Sequence, residues 1–564
     1  MNQPPVPLVP RPAASLILVR DTNAGMEVFM IRRSEEADFV KGAHVFPGGG
    51  VDVADASAEL AAYCEGLDDF EASRLLGVER GGLAYWAAAM RECFEEAGLL
   101  LAHDERGEYA DSNQPQRVEV FAQWRESVRA GRATLADLCR EHQLRLAVER
   151  LAYYSHWITP PGRPRRYDTR FFVAVAPAAQ TPSHDNSETV DHLWIQPAEA
   201  LERHRRRELH LVFPTIKTLE SIADFPTAEA LMKFARSPRE MPLMAPRAAT
   251  TRAGRKILVP GDYAYAEVGR LDPEGKGTVA GEIIPGAVVR LSDKVRRITA
   301  PNPGFMTGPG TNTYLLGAGG DIAVIDPGPA IDAHIEALLA AAGARIRWIL
   351  VTHTHMDHSP AAALLKAKTG AELIGMPPPP FGSQDQSFRP DRVPVHGECI
   401  ELAGGALRVI HAPGHASNQL CYLLEEEKLL FTGDHVMQGS TVVINPPDGD
   451  MRVYLDSLRQ LQGEDLAWFA PGHGFLMDKP QEVLERLLIH RRMRENKVLK
   501  AVRSAGTATP EALLPVVYDD VAPGLHPMAS RSLLAHLIKL KAEHKLVEAR
   551  GKWSIAQGEA PRGS

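Results

Sequence analysis

The stretch THTHMDHSP, residues 352–360, follows the apolar run RWILV and places His353, His355, Asp357 and His358 within six positions. Further on stand His415 in APGHAS, Asp434 in LLFTGDH and His473 in FAPGHG, each closing an apolar run that reads as a strand. Side chains on tight glycine turns at strand ends are fixed by the backbone and can point into one shared cleft. Imidazoles and carboxylates in this mixture suit Zn²⁺, in sites that keep a position open. Seven such groups are too many for one catalytic zinc and suit two. A pair of ions acidifies a water towards neutral pH and clamps both the attacking and the leaving oxygen. Read as incidental loop residues, the seven would have no reason to follow this order and spacing.

These residues resemble the metallo-β-lactamase superfamily over residues 287–480, and GTNTYLLG with AVIDPG (310–317, 323–328) looks like that family's opening strands. The resemblance implies an αββα sandwich. It also implies that His353, His355 and His415 hold one zinc, that Asp357, His358 and His473 hold the other, and that Asp434 bridges them, with Asp357 also catalytic. His411 and His435 flank the ligands and read as supporting or ordinary loop histidines. The nucleic-acid-processing branch that inserts a β-CASP domain is excluded, because Asp434 and His473 lie only 39 positions apart.

A second constellation lies upstream, in AAAMRECFEEAGLLL (87–101). On a helix Glu92, Glu95 and Glu96 stand at i, i+3 and i+4 and share one face. Carboxylates so close repel, and a hard cation such as Mg²⁺ or Mn²⁺ relieves them through oxygen ligands. Arg91 can orient them by charge-assisted hydrogen bonds, and the apolar neighbours Ala87, Met90, Phe94 and Leu99 argue against a merely solvated acidic face. This is the core of the Nudix box, and GAHVFPGGGVD (42–52) resembles the glycine loop that opens it. The resemblance implies a Nudix α/β/α sandwich over residues 10–240, with Glu95 and Glu96 catalytic. Two departures stand out. Forty residues separate Gly50 from Arg91, so 53–80 reads as an insertion, and Leu83 occupies the place of the glutamate that would pair with Arg91. Both departures, with WITPPGRPRRYDTRFF (157–172), are similar to the peroxisomal-type coenzyme A diphosphatase subgroup. Arg163, Arg165 and Arg166 there could meet a phosphate or simply decorate a hairpin, and Glu188 is a further candidate ligand or base.

Between the halves, 241–286 is rich in Pro, Arg and small residues and reads as a linker with some extended pieces. The end, 481–556, is mostly amphipathic helix closing on KWSI. It carries thirteen Lys and Arg against eight Asp and Glu, in a chain of net charge −8. Arg491, Arg492, Arg494, Lys497 and Lys500 fall along one helix. The pattern resembles the winged helix that ends the β-lactamase-like-2 subgroup, some members of which cut single-stranded RNA. The basic excess then either grips RNA or keeps soluble a cap whose apolar face (Leu487, Leu488, Leu534, Leu537) packs on the metal domain. The whole is expected to be an α/β multidomain hydrolase with two metal centres of different hardness. Its substrates are expected to be nucleotide or acyl-CoA-like small molecules, with RNA through the tail and a non-catalytic Nudix half as the alternatives. Five scattered cysteines without a CxxC pair suit a reducing cytoplasm. No run of 18 apolar residues appears, and no secretory signal is recognisable at the start.

Overall fold

The computed structural model describes residues 8–36, 40–111, 114–183, 189–317, 320–381, 384–402, 404–439 and 441–556. Glu188 lies outside them. The chain divides into two compact units, one of residues 1–247 with 274–276 and one of 248–273 with 277–564.

The first unit is an α/β/α sandwich, and its central strand Arg11–Thr22 shows why. Because side chains alternate across a strand, Leu16 and Leu18 enter one apolar cluster while Ile17 and Val19 enter another. Phe29 and Ile31 against Val28 and Met30, and Phe172 against Phe171 and Val173, repeat the split on both neighbours. That strand pairs antiparallel with Gly25–Arg33, parallel with Tyr167–Val175 and, at its start, antiparallel with the glycine turn Gly48–Gly50. The helix Leu83–Ala97 covers the first face, and helices Phe213–Ile222 and Ala228–Arg236 cover the second. The acidic helix is thereby laid against the glycine turn.

The second unit holds two six-stranded sheets. One runs Val288–Arg290, Val295–Thr299, Asn312–Leu316, Ile322–Ile325, Ile346–Leu350 and Glu372–Ile374, and the other runs Cys399–Ile400, Leu407–His411, Leu420–Leu424, Leu429–Gly433, Trp468–Pro471 and Met477–Asp478. Tyr314, Leu316, Ile325 and Leu350 of the first meet Tyr422, Leu424, Leu429 and Phe431 of the second. Helices Asp332–Ala342 and Ala361–Thr369 back the first sheet. Met451–Gln462 and the start of Pro480–Ala505 back the second, which completes the αββα layers. Among the described residues no helix is long and apolar enough to cross a membrane.

Two stretches differ from their sequence reading. Within 241–286, the strand Gly254–Leu258 and the helix Tyr265–Leu271 are ordered, and Ala249, Leu258, Ala264 and Val268 build a small core with Phe475. Elements of five and seven residues are too short to set up a visible period. In the tail, Arg491 and Arg494 are not at the surface. They are 2% and 6% exposed. Arg491 donates to the Val442 carbonyl, and Arg494 pairs with Asp520 at 2.8 Å. Leu484, Leu487 and Leu488 pack with Ala535 against the Met451–Gln462 helix, whereas Leu537 sits in the tail's own core and Leu534 remains 36% exposed.

Candidate metal centre

All seven predicted side chains of the second unit meet at the ends of the two sheets. They form two groups, His353, His355 and His415 in one and Asp357, His358, Asp434 and His473 in the other, with the ligand atoms of each group within 4.8 Å of one another. In the first, His355 Nδ1 lies 2.9 Å from His353 Nε2 and 3.1 Å from His415 Nε2. In the second, His473 Nε2 is 3.3 Å from both Asp357 Oδ2 and Asp434 Oδ1, and His358 Nε2 is 3.4 Å from Asp434 Oδ1. Asp434 faces both groups, because its other oxygen, Oδ2, lies 3.9 Å from His415 Nε2.

Four of the five imidazoles are aimed by what their other nitrogen touches. His358 Nδ1 meets Asp326 Oδ2 at 2.9 Å, His415 Nδ1 the Val443 carbonyl at 2.9 Å, His473 Nδ1 the Gly310 carbonyl at 3.1 Å and His353 Nδ1 the Thr352 hydroxyl at 3.1 Å. These contacts fix ring orientation, as supporting partners of metal-binding histidines do. Asp326 also accepts from the Thr352 backbone N–H and hydroxyl, both at 2.7 Å, and thus ties two strand ends together. Gly472 must be glycine, since a Cβ there would stand 2.6 Å from Asp434 Oδ1 and 2.7 Å from His358 Cε1. Sequence reasoning missed Asp326, although it stands in the AVIDPG run. His411 turns to the Ser417 carbonyl, and His435 is buried against Tyr454, so neither joins the groups.

The electrostatics separate the two groups. Burial, reinforced by the neighbouring imidazoles, depresses His353 far below the ordinary histidine range and His355 to about 3. Burial also opposes charge on His473 and His358. The carboxylates around them outweigh it, raising His473 to about 10 and His358 well above its usual value. The carboxylates of the second group thus favour positive charge beside them, as they would favour a cation. His358 Nε2 and Asp434 Oδ1 are buried with no hydrogen-bond partner. Uncompensated buried polar atoms are costly, and a cation between them resolves both.

In the first unit, Arg91 is the hub. It is 7% exposed and donates to Glu92 at 2.9 Å, to Glu95 at 3.2 Å and to the Gly50 carbonyl at 2.7 Å. Glu96 faces the glycine turn and accepts from Gly48 N–H at 2.8 Å. A Cβ on Gly49 would stand 2.4 Å from the Glu92 carboxylate, so a larger residue there would have to displace that carboxylate from Arg91. Burial raises Glu92 to about 7 and raises Glu95, against the pull of Arg91. Among the described residues, these glutamates do not close into a group as tight as those of the second unit. The partner expected in place of Leu83 is supplied by the insertion. Asp55, 4% exposed, takes Arg91 Nε at 2.9 Å and Nη2 at 3.0 Å, and Asp69 caps the helix by accepting from Leu83 N–H at 3.0 Å. The supporting ion pair is therefore present, with a different acid. Arg166 is held by the Thr159 and Leu8 carbonyls, at 3.0 and 2.7 Å.

Comparison with known proteins finds three families along the chain. The family model of the metallo-beta-lactamase superfamily matches residues 306–473, that of the NUDT19 Nudix domain residues 77–222, and that of the beta-lactamase associated winged helix domain residues 509–553. The chain is 32% identical over 280 residues to a beta-lactamase-like protein 2 homolog of Drosophila melanogaster, covering 47% of this chain and 93% of that one. It is 33% identical over 221 residues to an atrochrysone carboxyl ACP thioesterase of Aspergillus fumigatus, covering 38% of this chain and 66% of the relative's length, just under two thirds. A solved NUDIX hydrolase from Alicyclobacillus acidocaldarius is 29% identical, with a TM-score of 0.33, and the match covers 40% of this chain and 96% of that one. The chain belongs to the metallo-β-lactamase superfamily, with a Nudix domain ahead of the metallo domain and a winged helix after it. It is a hydrolase.

Proposed function

We propose that the metallo domain binds two zinc ions and hydrolyses an ester or thioester, and that the Nudix domain cleaves a nucleotide or coenzyme A pyrophosphate with Mg²⁺ or Mn²⁺. The observation that carries the first part is Asp434, whose two oxygens face different groups of histidines, as a bridging carboxylate must. His353, His355 and His415 would hold one ion and Asp357, His358 and His473 the other. When bound, two such ions supply Lewis-acid polarisation and a water acidified to near-neutral pH. The chain's own part is to aim the imidazoles and to keep Asp357 turned inward, where it accepts from the Thr311 hydroxyl at 3.3 Å. The thioesterase name of one relative supports a thioester as the bond broken.

In the Nudix domain, Glu92, Glu95 and Glu96 would hold the hard cation, with Arg91 and Asp55 setting their direction. Two crowded carboxylates raised by burial favour such an ion thermodynamically, because metal binding replaces the protons they would otherwise take up. The test is turnover by the full-length protein. Zinc-loaded enzyme should hydrolyse thioesters, and Glu95→Gln should abolish only the Mg²⁺-dependent cleavage of coenzyme A and nucleoside diphosphate derivatives. An enzyme inert towards every thioester and pyrophosphate offered would overturn both assignments.

A further inference from the structure

Single exposed apolar side chains are ordinary on a protein surface, and it is their grouping that marks a binding site; four stand in the open on segments tied to the metal centre. Phe305 is 70% exposed, Met306 43%, Met356 55% and Phe381 39%. Met356 sits between His355 and Asp357. Phe305 and Met306 form the tip of a short hairpin closed by the Gly304 N–H donating to the Gly308 carbonyl at 3.1 Å. The base of that hairpin is pinned to the site twice, through the Gly310 carbonyl on His473 and the Thr311 hydroxyl on Asp357. Phe381 is carried by a loop anchored on the other side, where Asp385 N–H donates to the Thr354 carbonyl, Gln384 bridges to His355 and Asn418 donates to the Pro377 carbonyl at 3.2 Å.

Charge on the same loops points the same way. The stretches 301–311, 352–360, 376–388, 411–419, 434–450 and 471–478 supply every ligand and both apolar rims, and they contain no lysine or arginine. They do carry aspartates besides the ligands, including Asp385, Asp448 and Asp450. Single-strand nucleic-acid sites need a cationic track for the backbone; these stretches supply none themselves, and the cations nearest them stand at their borders, Arg389 on the Gln386 and Phe388 carbonyls and Arg252 and Lys256 beside Pro309 and Phe475.

We propose that Phe305, Met306, Met356 and Phe381 form the acyl-chain subsite of the metallo centre, so that its substrate is a thioester of an apolar acyl group. This rests on the hydrolytic reading above. In the reaction the oxygen of water bonds to the acyl carbon, the carbon–sulfur bond breaks, and the thiol leaves with a proton, giving a carboxylic acid and a free thiol. The collar would hold the chain beside the residues that would hold the two ions, and those ions would supply polarisation of the reacting carbonyl.

The test is kcat/KM of the zinc-loaded, full-length protein on N-acetylcysteamine thioesters of acetate and hexanoate. A fully buried methylene is worth roughly fourfold, and an open collar covering half of it about twofold, so hexanoyl should exceed acetyl by roughly 16-fold. Phe305→Ser with Phe381→Ser should bring that ratio below about threefold, mainly through KM. Both positions are exposed, and any general loss of folded enzyme lowers both substrates equally and leaves the ratio alone. A wild-type ratio near one, or a ratio unmoved by the double variant, overturns the subsite while leaving thioester hydrolysis standing. Inertness to both thioesters, with cutting of a labelled single-stranded RNA, overturns the hydrolytic reading and the subsite with it.

Discussion

Glu267 offers the strictest test of how the metallo unit is held together. It lies on the short helix Tyr265–Leu271, inside the stretch that reads as linker, and its side chain is 3% exposed. Its carboxylate accepts Arg297 Nη1 at 2.6 Å and Nη2 at 2.9 Å, and also the backbone N–H of Leu476 at 2.8 Å. Arg297, 2% exposed, stands on the strand Val295–Thr299, and Leu476 follows His473 by three residues. Glu267→Gln preserves shape but leaves a buried guanidinium without its counter-charge and forces one amide N–H against another donor. Breaking a buried pair on one side costs about 3–5 kcal/mol. At roughly 2–4 °C per kcal/mol for a unit of this order of size, the melting transition should fall by about 6–20 °C. Replacing both partners, Glu267→Leu with Arg297→Met, removes the charge as well as the pair and should recover most of that loss. Calorimetric melting of the metal-free full-length protein reads both variants. A Glu267→Gln transition within about 1 kcal/mol of wild type, or a double variant no better than the single, would refute the argument that this buried pair ties the helix to the sheet.

Three further outcomes are expected. Asp55→Asn should lower Mg²⁺-dependent pyrophosphate cleavage by about 10–100-fold, as loss of a supporting partner does, with zinc-dependent thioester turnover unchanged. Equal activity of the variant and wild type would show that Arg91 needs no acid from the insertion. Metal analysis of Asp434→Ala should find both zinc ions weakened together, whereas Asp357→Ala should lose mainly one, and a single loss in both variants would remove Asp434 from the bridge. Neutralising Arg492, Lys500 and Arg503, all exposed, should change stability by no more than about 0.5 kcal/mol per site. If RNA binds the tail there, the salt slope of binding should also drop by about 0.7 for each phosphate no longer neutralised.

The grouping of the seven candidate ligands was legible because four lie in one short run and the others close strand-like runs, so each announces itself locally. The partners that aim those ligands were harder to see. Asp326 stands in the AVIDPG run with nothing to mark it, and Val443 and Gly310 contribute carbonyls, which every residue has. Asp55 could not be found, because its partner is 36 positions away and it sits in a three-residue turn of helix. Its absence from the motif looked like a missing ion pair when the acid had only moved to the insertion. Glu267 was hidden in the same way, as an ordinary glutamate in a stretch whose composition suggests solvent.

Charge totals left the tail with two readings, and the packing of its basic residues bears on function. A helical projection of Arg491, Arg494 and Lys497 shows a basic stripe, but only packing decides whether a stripe faces water or protein. Here Arg491 reaches a carbonyl of the metal domain, Arg494 and Lys497 meet Asp520 and Asp519, and Lys539, Lys541 and Lys545 meet Glu495, Glu548 and Glu543. Six of the thirteen basic residues are therefore engaged inside the metallo unit, five of them with acids of the tail itself, so the local stripe is largely neutralised while the net excess of five is carried by other positions. The stretches around the metal centre contain no lysine or arginine of their own; the cations that touch them, Arg389 on the Gln386 and Phe388 carbonyls and Arg491 on the Val442 carbonyl, come from outside, and four apolar side chains there stand in the open. A site that must bring a phosphate backbone to its metals would place its positive charge at the mouth. This chain uses much of its tail's positive charge in pairs that hold the tail in place, and the proposed acyl subsite asks for no cation at the metal centre.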